Sequence, residues 1–318
     1  MAEASVSWWL RNQKPQDMIA PANAMKLIQI YFHVCEEYES TLKYSCERMS
    51  PNQYQQLTDP EIISIYLYAV HVEQRFRVKQ IHRYAKDHLM DWFPGLGSYA
   101  AFCSRLNRLS EAFRLLLDRL LADVPEGCSQ AWAVLDSMPI ITCSGKRSAK
   151  VAGEMTDKTF CASKGIWYTG IKLHMLGMVR KGRLPHPESL ALTPASVNDL
   201  ALFKELWACM ADKVFFGDRI YFDRPFFAAM METCGSEMLT PVKHLKGTTE
   251  WEKRFFKAAD DMYSAAVSSV RQPIESLFGW LIEKVDIQRA SKVRSTAGLL
   301  VHVFAKLSAA FIGTIFNP

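Results

Sequence analysis

The sequence predicts an α/β protein in two parts: an all-helical first part, then a mixed sheet with helices on its faces. Three observations carry this. From about 22 to 122, apolar residues recur at i, i+3, i+4 spacing. "VPEGCSQ" (124–130) breaks that period, and β-rich runs then alternate with amphipathic ones in the order β, β, β, α, β, α, β, α. The basic excess also lies in the second part. The first 124 residues hold 14 Lys/Arg and 14 Asp/Glu, which leaves 24 basic and 19 acidic residues for the rest and a net charge of +5.

With 318 residues, 49% of them apolar, the chain can build one large domain or two modest ones. Residues 1–24 read as an N-terminal segment outside the helical pattern, with early acid and no long apolar run, so no secretory signal is expected. No uninterrupted apolar stretch approaches the roughly 18 residues of a membrane span. Eight cysteines stand singly, without CxxC or zinc-finger spacing, which points to reduced thiols and a cytoplasmic setting.

In the helical part (25–124), "AMKLIQIYFHVCEEYE" is amphipathic. "LTDPEIISIYLYAVHV" opens on a start signal: Thr58 as N-cap, Glu61 closing a capping box, Pro60 in the first turn. "LSEAFRLLLDRLLADV" is a third helix. Between them, Arg75, Arg77, Lys79, Arg83 and Lys86 alternate with aromatics, a pattern shared by solvated helix faces and DNA-contacting ones.

In the second part (125–295), the first strand is 130–136, "QAWAVLD". The stretch 143–165 reads as a loop rich in Lys, Ser and Gly, including Lys146, Arg147, Lys150, Lys158 and Lys164. "IWYTGIKLHMLGMV" and "PESLALT" are the next strands, with Lys172 and His174 at alternate positions of the former. Asn198 or Asp199 can cap the helix "LALFKELWACM". "DKVFFGD" is the fourth strand. Asp223 caps and Gly235 stops the next helix, and "EMLTPVK" is the fifth strand. A polar connection runs to about 265, followed by the helix "AAVSSVRQPIESLFGWLIEKV". The segment 296–318 reads as a C-terminal helix that packs on the core.

Three carboxylates stand out. Asp136 follows "AWAVL" and Asp218 follows "KVFFG", each where a short apolar strand runs out, the edge at which open α/β sheets bind ligands. An Asp before Ser137 and Pro139 is also ordinary turn chemistry. On neighbouring strands the two acids would repel unless one is protonated or a cation sits between them; Mg²⁺ suits carboxylate and phosphate oxygens. Glu275 shares a helix face with Arg271 at i, i+4, beside the stripe Ile274, Leu277, Phe278, Leu281. Other chemistries fit poorly. "SGKRS" is no P-loop, since Ile140 replaces the first Gly, and no GxSxG or HExxH occurs. A two-carboxylate glycosidase is conceivable from the aspartates alone, but the third acid and the basic bias argue against it.

The phrases "VLDSMPI", "CASKGIWYTGIKLHMLG", "LTPASVNDL", "FFGDRIYFD" and "RQPIESLFGWL", in this order, resemble the DDE transposases of bacterial insertion sequences, a similarity that with the upstream helices covers about 25 to 295. "LTDPEIISIYLY" and "HLMDWFPGLGSYAAFCSRLNRL" resemble the helical region ahead of their catalytic core. The resemblance implies an RNase H-like five-stranded mixed sheet. Asp136, Asp218 and Glu275 would be its catalytic and metal-binding acids on two Mg²⁺ (or Mn²⁺), with Arg271 in support. It implies cleavage at transposon ends and strand transfer into target DNA. The first domain would bind the terminal inverted repeats, and the chain would act as a homodimer or larger on DNA in a bacterial or archaeal cytoplasm, away from membranes. Lys146, Arg147, Lys164, Lys172, Arg289, Lys292 and Arg294 are the candidate DNA contacts. A nuclease without strand transfer, or a non-catalytic DNA-binding derivative, are the other readings.

The chain departs from the family pattern in places. Asp218-Arg219-Ile220-Tyr221 stands where relatives often have Asp-Lys-Gly-Tyr, and a Gly there at positive φ would leave Ile220 strained. Ser268 and Ile282 stand at the Tyr and Lys positions of the helix motif, with Lys284 two residues on. Pro273 would break a helix interior, so that helix is expected to start near Gln272.

Overall fold

The computed structural model describes residues 19–46, 56–145, 151–161, 165–244 and 247–316. Of the expected segment 1–24, residues 1–18 lie outside them, and helix already begins at Pro21. The chain divides into two compact units. One takes the described residues up to Leu120 together with those from Leu300 onward; the other is Leu121–Leu299.

The helical unit contains α1 (Pro21–Glu37), which runs through a π-turn (Tyr38–Leu42) into α2 (Lys43–Cys46). It continues with α3 (Asp59–His71), α4 (Val78–His88), α5 (Tyr99–Arg108) and α6 (Ser110–Ala122). The capping box forms: the Thr58 hydroxyl accepts from Glu61 N, and the Glu61 carboxylate accepts from Thr58 N. α3 is apolar nearly all round and is buried from Ile62 to Val70, as a helix without a polar face must be.

The C-terminal segment, expected to pack on the core, divides between the two units. α10 (Thr296–Phe311) starts in the sheet unit, but from Leu300 it belongs to the helices. There the Ser308 hydroxyl donates to Phe113 O (3.1 Å), and the ring of His71 bonds Ala309 O (2.8 Å). Residues 296–316 are long and apolar enough to cross a membrane, yet 61% of the window is buried within the protein, as in a core helix.

The sheet unit contains β1 (Cys128–Ser144), β2 (Asp157–Cys161), β3 (Ile166–Arg180), β4 (His186–Pro194), α7 (Asp199–Leu206), β5 (Val214–Phe216), α8 (Arg224–Cys234), β6 (Glu237–Leu239) and α9 (Glu250–Val285). The five expected strands are present in the order β4-β3-β1-β5-β6. β3 is antiparallel to β1 and β4, while β5 and β6 run parallel to β1. A central antiparallel hairpin extended by parallel strands is the RNase H-like arrangement. A sixth strand, β2, pairs with β3 inside the stretch expected as loop: "DKTFC" has β-forming Thr and Phe in polar surroundings.

Two further boundaries differ. β1 does not stop at Asp136; it pairs with β3 as far as Ser144. Pro139 is tolerated because β1 has lost its β5 neighbour by then, leaving an edge where a missing N–H costs little. α9 starts at Glu250, not near Gln272, and runs 36 residues through Pro273. Thr249 and Glu252 form its capping box. The carbonyl deprived by Pro273 belongs to the exposed Ser269, where water can take the bond.

Alternation along the strands sorts the two faces. Ala133, Leu135, Leu176 and Phe215 pack with Leu202, Phe203 and Trp207 of α7 and its C-terminal turn, and with Met230 of α8. The opposite face is covered by α9: a Cβ added at Gly177, the partner of Val134, would lie 3.6 Å from Ile274 Cδ1.

A candidate carboxylate site

The parallel ladder between β1 and β5 is three residues long and ends with Val134 opposite Phe216. Asp136 and Asp218 each lie two residues further on. Two residues is one strand period, so both acids return to the face of Val134 and Phe216, the face under α9. Four residues beyond Arg271 on α9 comes Glu275, one turn on and on the same side. The apolar stripe Ile274, Leu277, Phe278 and Leu281 is buried and fixes the helix against the sheet.

Arg271 ties two of the acids together. Its Nη1 donates to Asp136 Oδ2 at 3.2 Å, and its Nη2 donates to Glu275 Oε1. Its Nε is buried without a hydrogen-bond partner. Asp136 Oδ1 accepts from Ser137 N (2.8 Å). Asp218 Oδ1 accepts from Ile220 N (2.7 Å), closing the 3-10 turn Arg219–Tyr221. Ile220 is not among the residues at positive φ, so the strain expected there is absent. The aspartate caps the turn with its own side chain, which makes glycine unnecessary.

Burial dominates the electrostatics. It pushes the Asp136 carboxyl up to about 7, against the opposing pull of the Ser137 amide and Arg271, and the charges of Asp218 and Glu275 push the same way as burial. Asp218 is also raised, again chiefly by burial. Beside them opens a cleft of about 400 Å³, lined by Asp218, Arg219, Pro241, Ser264, Ser268 and Arg271. Ser268 therefore faces the cleft.

The donor set, three carboxylates without a soft ligand, has the chemistry of a hard divalent cation's site. The raised acids and the orphaned guanidinium nitrogen fit a pocket with uncompensated polarity. Among the described residues, however, no three His, Cys, Asp or Glu converge on one point closely enough to hold an ion together. In this conformation the cation spanning Asp136 and Glu275 is Arg271.

The other face of β1 carries a network that sequence reasoning missed. Ser137 Oγ donates to Asp199 Oδ2 (3.0 Å), and Lys172 Nζ donates to Asp199 Oδ1 (2.8 Å) and Val197 O (2.8 Å). His174, fully buried, bonds Thr193 Oγ1 through Nε2 (2.8 Å) and points Nδ1 at Asp199 from 3.7 Å. Burial holds its pKa below the usual imidazole range. Asn198 is the helix cap, accepting from Leu200 N and Ala201 N, which frees Asp199 for this role. Ser137 is thus a strand residue anchored to α7 rather than part of a turn. The alternation of Lys172 and His174 was the visible trace of the network.

Of the candidate DNA contacts, Lys172 is turned inward and engaged as above. Arg289, Lys292 and Arg294 are exposed. Arg289 sits where its backbone bridges Ile141 of β1: Ile141 N donates to Gln288 O (2.8 Å) and Ala290 N donates to Ile141 O (2.9 Å). Lys146, Arg147 and Lys164 lie outside the described residues. None of the eight cysteines forms a disulfide.

No family model matches the chain, and no curated protein matches it. Among solved structures, a crystal structure of a pre-cleavage Mos1 transpososome is similar with a TM-score of 0.19 and 12% identity, over 90% of this chain and 88% of that one. A likeness at that level carries no weight of its own.

Proposed function

We propose that this chain is an insertion-sequence transposase of the DDE type, cutting DNA at transposon ends and joining the freed ends to target DNA. The observation that carries the reading is the matched placement of Asp136 and Asp218. They stand two residues past the end of the β1·β5 ladder, under a helix that delivers Glu275. These three acids would hold two Mg²⁺ or Mn²⁺ ions, which supply an activated water or 3′-hydroxyl and stabilise the leaving oxygen. Arg271 would hand over its carboxylates as the ions bind and orient Glu275 or a phosphate. The Ser137–Asp199–Lys172 network keeps the β1 backbone beside Asp136 in place. Exposed Arg289, Lys292 and Arg294, with Lys146, Arg147 and Lys164, would neutralise DNA phosphates. In the helical unit Arg75, Arg77, Lys79, Arg83 and Lys86 are all exposed, which supports its role in binding the terminal repeats. Paired-end chemistry requires a homodimer or larger on DNA.

The test is a supercoiled plasmid bearing the inverted repeats that flank the reading frame. The parent protein nicks at the repeat ends and joins a labelled end to target DNA only with Mg²⁺ or Mn²⁺; Asp136→Asn does neither. Nicking without joining would make the chain a nuclease on the same core. An Asn variant as active as the parent would sink the site assignment.

A further inference from the structure

Beyond the acids, the β2–β3 hairpin carries a feature that cleavage chemistry does not use. Phe160 and Trp167 stand directly opposite each other, 48% and 55% exposed, with ring centroids 5.5 Å apart. Lys158 pairs with Thr169 one strand period away, so it shares their face, and its Nζ lies 5.9 Å from the Trp167 ring. Below them opens an apolar-walled cavity of about 630 Å³, lined by Ser144, Gly145, Lys158, Ile166 and Trp167. Gly145 N donates to Trp167 O (2.9 Å), which pins the Trp-bearing strand end to β1.

Asp157 and Glu154 keep their charge but bond elsewhere than to Lys158: Asp157 accepts from Ser196 N (2.8 Å), and Glu154 accepts from the Thr296 hydroxyl. Lys158 has no acidic partner among the described ion pairs, and its Nζ is held over the Trp167 ring instead. Two large rings at a cavity mouth, with a free ammonium on the same face, match a planar, apolar-faced ligand joined to anions. We propose that this hairpin is a stacking platform for an unpaired nucleobase of a DNA strand, with Trp167 and Phe160 taking the base and Lys158 the adjoining phosphate. The proposal rests on the DNA-processing reading above and adds a subsite to it.

The experiment measures fluorescence anisotropy of the full chain with a labelled oligonucleotide, as a forked duplex with unpaired bases and as a fully paired duplex of the same sequence. Trp167→Leu is expected to weaken binding to the forked DNA about 5- to 100-fold and to the paired duplex less than 2-fold. Trp167→Tyr, which keeps an aromatic face, restores most of the loss. Lys158→Ala lowers the salt dependence on the forked DNA by about one phosphate contact. Equal losses on both DNAs, with a lowered melting temperature, would mean that the rings only hold the hairpin together, and would overturn the proposal. So would unchanged binding in Trp167→Leu. The two readings fail separately. Nicking that depends on Asp136 with no Trp167 effect removes the platform alone. Discrimination of unpaired DNA without metal-dependent nicking removes the transposase reading alone.

Discussion

Replacing Asp136 by Asn in the metal-free protein keeps the shape of the side chain and deletes its charge. Burial lifts the folded-state pKa from an ordinary 3.8 to about 7. At roughly 1.4 kcal/mol per unit, that is a cost of about 4 kcal/mol once the carboxyl is ionised, an upper figure because the side chain is 21% exposed. The sign follows from proton binding. Between about pH 4 and pH 7 the folded state keeps a proton that the unfolded chain has released, so the stability this group provides is full below its unfolded pKa and is lost as pH rises through the folded pKa. Asn has no such term. In EDTA, the melting temperature of the variant minus that of the parent is therefore expected near zero at pH 4, climbing through pH 5 and 6 to a plateau above pH 7. At about 2–4 °C per kcal/mol the plateau is on the order of 10 °C. Scanning calorimetry of both proteins from pH 4 to 8.5 measures this directly. Mg²⁺ at about a hundred times its Kd should then raise the parent at pH 8 by about 2.7 kcal/mol and leave the variant nearly unmoved. A difference that stays flat with pH, or an Asn variant less stable at pH 8, would refute the premise that burial outweighs the Arg271 charge at Asp136.

Other outcomes follow from the same geometry. Asp199→Ala removes the carboxylate partner of the half-buried Lys172 ammonium and is expected to cost about 2–4 kcal/mol by urea denaturation, with Lys172→Met in the same chain recovering most of it. Pro273→Ala restores a backbone donor inside α9 and should raise stability by about 1–3 kcal/mol; no gain would mean that the helix there is not continuous. Gly170→Ala places a Cβ 2.0 Å from Ile140 O on the strand pair that carries Asp136. It should destabilise by about 3 kcal/mol and reduce soluble yield, and a neutral result would contradict the β1·β3 register.

Local signals were legible in the sequence because they act within a few residues. The Thr58–Glu61 box, the Asn198 and Asp223 caps and the Gly235 stop all appear as read. So does the apolar stripe around Glu275, whose period alone fixes the buried side. What escaped needed a partner distant in sequence. Ser-Met-Pro after Asp136 looks like a turn until β3 is laid beside it, when Ser137 meets His174 and Pro139 meets Lys172. Asp199 reads as a cap until two strands bring Ser137 and Lys172 to it. The first turns of α9 escaped for the opposite reason: Trp251, Phe255 and Met262 are exposed, so no apolar stripe marks 250–263 as packed helix, and only the Thr249–Glu252 box betrayed the start. β2 was hidden by its polar company. The matched strand ends of Asp136 and Asp218 could be counted along the chain, whereas the guanidinium between Asp136 and Glu275 was visible only as an i, i+4 neighbour of Glu275.

The short ladder between β1 and β5 has a consequence for how this gene can drift. The two aspartates are aligned by counting: two residues after Val134 and two after Phe216. A codon gained or lost in the connection from Trp207 to Lys213 leaves both of those two-residue steps intact. One gained between Phe216 and Asp218, or between Val134 and Asp136, turns a carboxylate to the opposite face of the sheet. Length variation in descendants of this chain is therefore expected to collect before β5 and to be excluded from those two steps of two residues.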